Sequence, residues 1–170
     1  WNRYALARYN PDGSLDSSFG SGGTQTTNWG SVGSPLYSIG FQSDGKIVVA
    51  GSRYADACSP GINLSTVTRY TRDGELDMTF GSGGETRVDI PHGPHHDGNR
   101  GAVIRSDDSI VTTSQEHYSS WSGLQHYTAD GSHTGETYLS GGYGGGIAVD
   151  DEDNVIANTQ YVVYGPWGLA

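Results

Sequence analysis

Pro91-His92-Gly93-Pro94-His95-His96-Asp97 is the segment richest in reactive side chains. Three imidazoles and a carboxylate so close together are a donor set for Zn, Ni or Cu. His92, His95, His96 and Asp97 are therefore candidate ligands for a transition metal. They carry one reading of the chain, a metal-dependent hydrolase or lyase. Adjacent His95 and His96 point apart in an extended chain, and Pro and Gly suit an irregular solvated loop. The solvated loop is the favoured reading.

Acidic turns offer oxygen ligands instead. Asp12, Asp16, Asp73, Asp77, Asp130 and the run Asp150-Asp151-Glu152-Asp153 would suit calcium, which takes six to eight oxygens. The run lacks the alternating acid spacing and the distant bidentate Glu of a calcium loop. A structural role, accepting backbone N–H bonds within turns, is the stronger expectation for Asp16 and Asp77. Aromatic residues gather in a third set of positions: Tyr54, Tyr118, Trp121, Tyr164 and Trp167. Flat rings beside Asn, Gln and Asp suit a carbohydrate, whose C–H face stacks while its hydroxyls are hydrogen-bonded. Packing between sheets competes for the same rings. No Gly-x-Ser-x-Gly elbow occurs, and no Gly-Lys-Ser/Thr follows a glycine-rich loop, so hydrolase and phosphate motifs are absent.

These residues must be held by something, and composition restricts what. The 170 residues include 27 glycines, and acids outnumber bases 19 to 9 for a net charge of −10. Lys46 as the one lysine and the lack of a basic cluster argue against nucleic acid as a partner. No long apolar run would span a membrane as a helix. Cys58 stands alone, so no disulfide forms within the chain. The chain opens at Trp1 rather than Met, which reads as a processed chain or part of something longer. Abundant Tyr, Trp, Gly, Ser, Thr and Asp point to the cell surface or the extracellular space. There Asn63-Leu64-Ser65 would be a glycosylation sequon.

The strongest signal is repetition. Residues 8–23 and 69–84 share Arg-Tyr-x-x-Asp-Gly-x-Leu-Asp-x-x-Phe-Gly-Ser-Gly-Gly, identical at 11 of 16 positions. A third, decayed copy starts at His126-Tyr127-Thr128-Ala129-Asp130-Gly131. Alternating with it are Phe41–Gly51, Ile104–Val111 and Val149–Ala157, each with an acidic or Asp-Gly turn before a β-branched run. Glycine takes positive φ there at no steric cost, and Asp108, Asp153 and Asn154 replace it in the later copies. The runs between turns are strands, and no sustained helical period exists. Ile47-Val48-Val49 is apolar on both faces, as a sheet covered on both sides requires. Small residues (Ser38 and Gly40, Gly101 and Ala102, Gly146 and Ala148) suit a crowded innermost strand.

The expected fold is all-β: a β-propeller of four-stranded antiparallel blades, with about three in this chain. Residues 1–170 form a single repeat domain. Within it, residues 1–32 are the outer hairpin of a blade, 33–95 and 96–140 are whole blades, and 141–170 are an inner hairpin. Three blades do not comfortably close a ring. The chain is then part of a larger ring or half of a six-bladed dimer, with a stacked array as the structural alternative.

The quoted motif, followed by Gln-x-Asp-Gly-Lys-Ile-Val-Val-Ala-Gly, resembles the delta-60 repeat. That family is a bacterial β-propeller-like repeat of secreted and surface proteins. The resemblance is strong over residues 4–51 and 64–90 and weak from 132 onwards. It implies an architecture and no particular enzyme, because the shared residues serve turns and packing. The leading expectation is a non-enzymatic module for adhesion, glycan binding or extracellular assembly, with a glycan or surface partner.

Overall fold

β-branched runs punctuated by Asp-containing turns fold here as strands, and no helix occurs among the described residues. The structure is a computed structural model that describes residues 3–28, 35–54, 63–89, 96–116, 121–140 and 143–160. The first two strands are β1 (Arg3–Ala7) and β2 (Thr24–Asn28). They are followed by β3 (Leu36–Phe41), β4 (Ile47–Tyr54), β5 (Asn63–Tyr70) and β6 (Glu85–Val88). The next four are β7 (His96–Ile104), β8 (Ile110–Glu116), β9 (Trp121–Tyr127) and β10 (His133–Ser140). Last come β11 (Tyr143–Val149) and β12 (Val155–Gln160). β3-β4-β5-β6 and β7-β8-β9-β10 are four-stranded antiparallel sheets in sequence order, and β1-β2 and β11-β12 are two-stranded. Among the described residues the sheets do not close a ring.

One turn design recurs. The N–H of Gly13, Gly45, Gly74 and Gly131 closes a four-residue turn onto the carbonyl three residues back, and each of these glycines has positive φ. A turn followed by one left-handed residue matches the twist of the strands it joins. Asp108 and Asp153 fill the same place at φ 65 and 63. They are the only non-glycine residues with positive φ among those described, consistent with the tolerance of Asp for that region. The stretch between β1 and β2 is longer than its Asp-Gly turn. A second turn closes from Phe19 N–H to the Asp16 carbonyl, and the Phe80–Asp77 bond repeats it in the first complete blade.

The sheets stack face to face, which explains the apolar β4. Val48 joins Val67, Phe80, Ile110 and Tyr127 in one buried cluster facing the next sheet. Ile47 and Val49 join Phe19 and Tyr70 in another, facing β1-β2. The small residues of the innermost strands sit where the next sheet approaches. A Cβ added at Gly40 would lie 3.0 Å from Ile104, and one at Gly101 would lie 2.9 Å from Ile147. The histidine segment differs from its expectation as a loop: β7 begins at His96, so His96 and Asp97 belong to a strand. That strand carries irregularities between His96 and Gly98 and between Asn99 and Gly101.

Candidate functional site

The residues shared by the repeats converge at the junctions between sheets. Arg8 donates through Nε to Asp16 (2.7 Å), and Arg69 does the same to Asp77 (2.8 Å). Each guanidinium also reaches the following sheet. Arg8 Nη1 donates to the Arg72 carbonyl (2.8 Å) and Arg69 Nη1 to the Ala129 carbonyl (2.7 Å). Beside each arginine a phenylalanine ring lies under the cation, Phe19 at 4.8 Å and Phe80 at 4.7 Å. The ring presses on the turn glycine of the next sheet, so a Cβ at Gly74 would meet Phe19 at 2.8 Å and one at Gly131 would meet Phe80 at 2.5 Å. The N–H after each ring completes the clasp: Gly20 donates to the Asp73 carbonyl (2.7 Å) and Gly81 to the Asp130 carbonyl (2.9 Å).

A second clasp joins the inner turns. Ser43 donates through both N–H and Oγ to the Asp108 carboxylate, each at 2.6 Å. Ser106 does the same to Asp153 one sheet further on. The left-handed backbone at Asp108 and Asp153 therefore coincides with a carboxylate that bridges sheets.

Acids proposed for calcium are engaged in this framework. Asp12 accepts from Ser14 N–H (2.9 Å) and Oγ, and Asp130 from Ser132 N–H (3.2 Å). The Ser14 hydroxyl and N–H hold Asp12 below the ordinary carboxylate range. For Asp77, burial pushes the carboxyl upward, but the Thr79 hydroxyl and N–H together with Arg69 outweigh it. Its net displacement is downward, so it stays ionised. Asp150 is held low by the Asn154 side chain and N–H. Among the described residues, no group of three His, Cys, Asp or Glu side chains is placed to hold a metal ion.

The sequence-derived sites fall mostly elsewhere. His92, His95, Tyr118, Tyr164 and Trp167 lie outside the described residues, as do the side chains of His96, Asp97, Tyr54 and Trp121. In backbone terms Tyr54 ends β4 and Trp121 begins β9. The clasp residues Arg8, Arg69, Phe19, Phe80, Ser43 and Asp108 were not singled out as a site by sequence reasoning. Their signal was in the repeat itself, in Arg and Phe recurring beside turns that glycine and Asp already explained.

Two clefts have a histidine on their walls, the first at a junction and the second within the β7-β8-β9-β10 sheet. One of about 460 Å³ lies between the Gly81–Arg87 segment and Gly131–His133, with Ser82, Ser132 and His133 on its walls. Another, about 320 Å³, includes Arg105, Asp107 and His126. Burial, then the Arg105 and His133 charges, lower the His126 pKa, which keeps that ring neutral near pH 7.

Antiparallel sheets stacked face to face, two of them complete with four strands, and clasped at their junctions by recurring Arg–Asp–Phe and Ser–Asp contacts, define a β-propeller. A family model described as "Domain of unknown function (DUF5122) beta-propeller" matches residues 2–19 and 42–80. The matched stretches take in Arg8 to Phe19, Arg69 to Phe80 and the β3–β4 turn, so over them the chain is similar to a β-propeller-like repeat family. No curated protein matches the chain.

Proposed function

We propose that the chain is a non-enzymatic β-propeller module of the delta-60 type that works at the cell surface or outside the cell by binding glycan. Its sheets are the scaffold, and the connections after β4, β8 and β12 carry the recognition surface through Tyr54, Tyr118, Trp121, Tyr164 and Trp167. The observation that carries this reading is the position of Tyr54 and Trp121. One closes β4 and the other opens β9, so they border the same connection in neighbouring blades. Blades of one repeat turn corresponding connections to one side, which supplies several aromatic faces to one extended ligand. The engagement of Asp12, Asp16, Asp77, Asp108 and Asp153 in turns and clasps supports a scaffold rather than acid–base chemistry.

A glycan array followed by polysaccharide pull-down tests the proposal. Retention on a defined glycan, lost by at least ~tenfold in Trp121→Ala with an unchanged circular dichroism spectrum, is the expected outcome. A folded chain that ignores every glycan offered sinks it.

A further inference from the structure

Equivalent positions of the repeat differ sharply in exposure, and the differences fall on two faces. Tyr9, Tyr70 and Tyr127 occupy one repeat position. Tyr70 and Tyr127 are 1% and 2% exposed, whereas Tyr9 is 65% exposed. Val48, Val111 and Ile156 share another: the valines are each 1% exposed and Ile156 is 61% exposed. Phe41 is 66% exposed, while Ile104, its counterpart in the next blade, packs against a buried cluster. Phe41 and Ile39 point from β3 toward the side on which β1-β2 lies, beside an apolar groove of about 280 Å³ lined by Leu6, Leu36 and Val49. Ile156 points the opposite way, from β12.

These two faces are complementary by the rules the existing junctions follow. Ile104 enters at Gly40 and Ile147 at Gly101. By the same register Phe41 falls on Ala148 and Ile39 on Gly146, so bulky residues again meet small ones. The inner clasp changes in concert. Asp108 and Asp153 each receive a serine from the sheet before. Their counterpart in the first complete blade is Gly45, which has no carboxylate, and the counterpart of Ser43 and Ser106 after β11 is Asp151. A carboxylate at both places would be repulsive. Instead the Arg72 side chain lies against Gly45, its Cδ 3.4 Å from where a Cβ would stand. Asp151 brought to Gly45 therefore meets a cation.

We propose that β11-β12 of one chain docks on the exposed face of β3 in a second copy, pairing β12 with that copy's β1 to complete a four-stranded blade. The register of β4 on β5 and of β8 on β9 sets the pairing. Ile47 faces Tyr70 and Ile110 faces Tyr127, so Val155 faces Tyr9 of the second copy and buries it. The blade then reads β11-β12-β1-β2, and two chains joined reciprocally make six blades, within the roughly four to eight of known propellers. The inference is independent of the glycan reading.

Sedimentation equilibrium of the 170-residue chain tests it, with a species of twice its 18.0 kDa mass expected. Asp151→Lys should weaken association by at least ~tenfold, and adding Arg72→Glu should restore it. In a Cys58→Ser background, Phe41→Cys with Ala148→Cys should give a disulfide-linked dimer under oxidising conditions. Circular dichroism keeps folding separate from association. A chain that sediments at 18.0 kDa over the whole concentration range overturns the proposal. So does a cross-link that forms within one chain, or an Asp151→Lys variant that associates as the parent does.

Discussion

Two junctions in the molecule use the same clasp in different surroundings. Between β1-β2 and the first complete blade, the Arg8–Asp16 pair keeps 33% and 22% of its side-chain surface exposed. Between the two complete blades, Arg69 and Asp77 are each 7% exposed. The motif is nearly identical, so sequence does not set the difference. The neighbours do: Gln42 reaches over the second junction, accepting from Arg69 (3.2 Å) and donating to the Asp108 and Ala129 carbonyls (2.9 Å each). The second junction also buries a polar layer in which Asn99 donates to the Thr66 carbonyl and accepts from Thr112. A repeated ion pair is thus a surface contact beside half a blade and a buried one between two full blades. Surface pairs contribute little to stability, and breaking a buried one is costly.

The comparison breaks first at the phenylalanines. Phe80→Ala should lower the unfolding free energy by about 3–5 kcal/mol in urea, because it empties a packed site between sheets. Phe19 is as well buried, so Phe19→Ala should cost a similar amount. A much smaller loss would mean that β1-β2 is not a firmly docked half-blade. Arg69→Ala comes next, at about 3 kcal/mol, because Asp77 is left buried with Lys46, at 3.7 Å, as its remaining cation. Arg8→Ala should shift the melting temperature little, and a matched loss would erase the distinction between the junctions.

Acid titration sharpens the same contrast. The folded Asp77 carboxyl lies below its ordinary range, so its stabilisation is complete above the ordinary carboxylate pKa and is lost as pH falls through the lowered value. Stability should therefore decline on acidification, and Asp77→Asn should flatten that decline more than Asp16→Asn. The smallest effect is expected at the inner clasp. Asp108→Gly gives up two exposed hydrogen bonds but relieves a left-handed backbone, so stability should stay within about 1 kcal/mol of the parent.

Much of the fold was legible. Asp-Gly turns announced the hairpins, and Ile47-Val48-Val49 announced a sheet covered on both faces, because a strand with two apolar faces needs two neighbours. Asp108 and Asp153 were readable as turn residues. What they do across the junction was not, since Ser43 and Asp108 are 65 residues apart and nothing local joins them. The clasp of Arg and Phe was visible only as recurrence, which turn chemistry already explained. Tyr54 and Trp121 stand at strand ends and His96 and Asp97 at the start of β7, while the side chains of the aromatic and histidine sets lie outside the described residues.

The amino-acid order therefore determined the strands, the turns and the period, because each rests on the backbone preferences of a few adjacent residues. Tertiary structure decided which copies of a repeated residue are buried. Tyr9, Tyr70 and Tyr127 have the same local sequence logic, and only the presence or absence of a neighbouring strand makes one a surface residue and the others core.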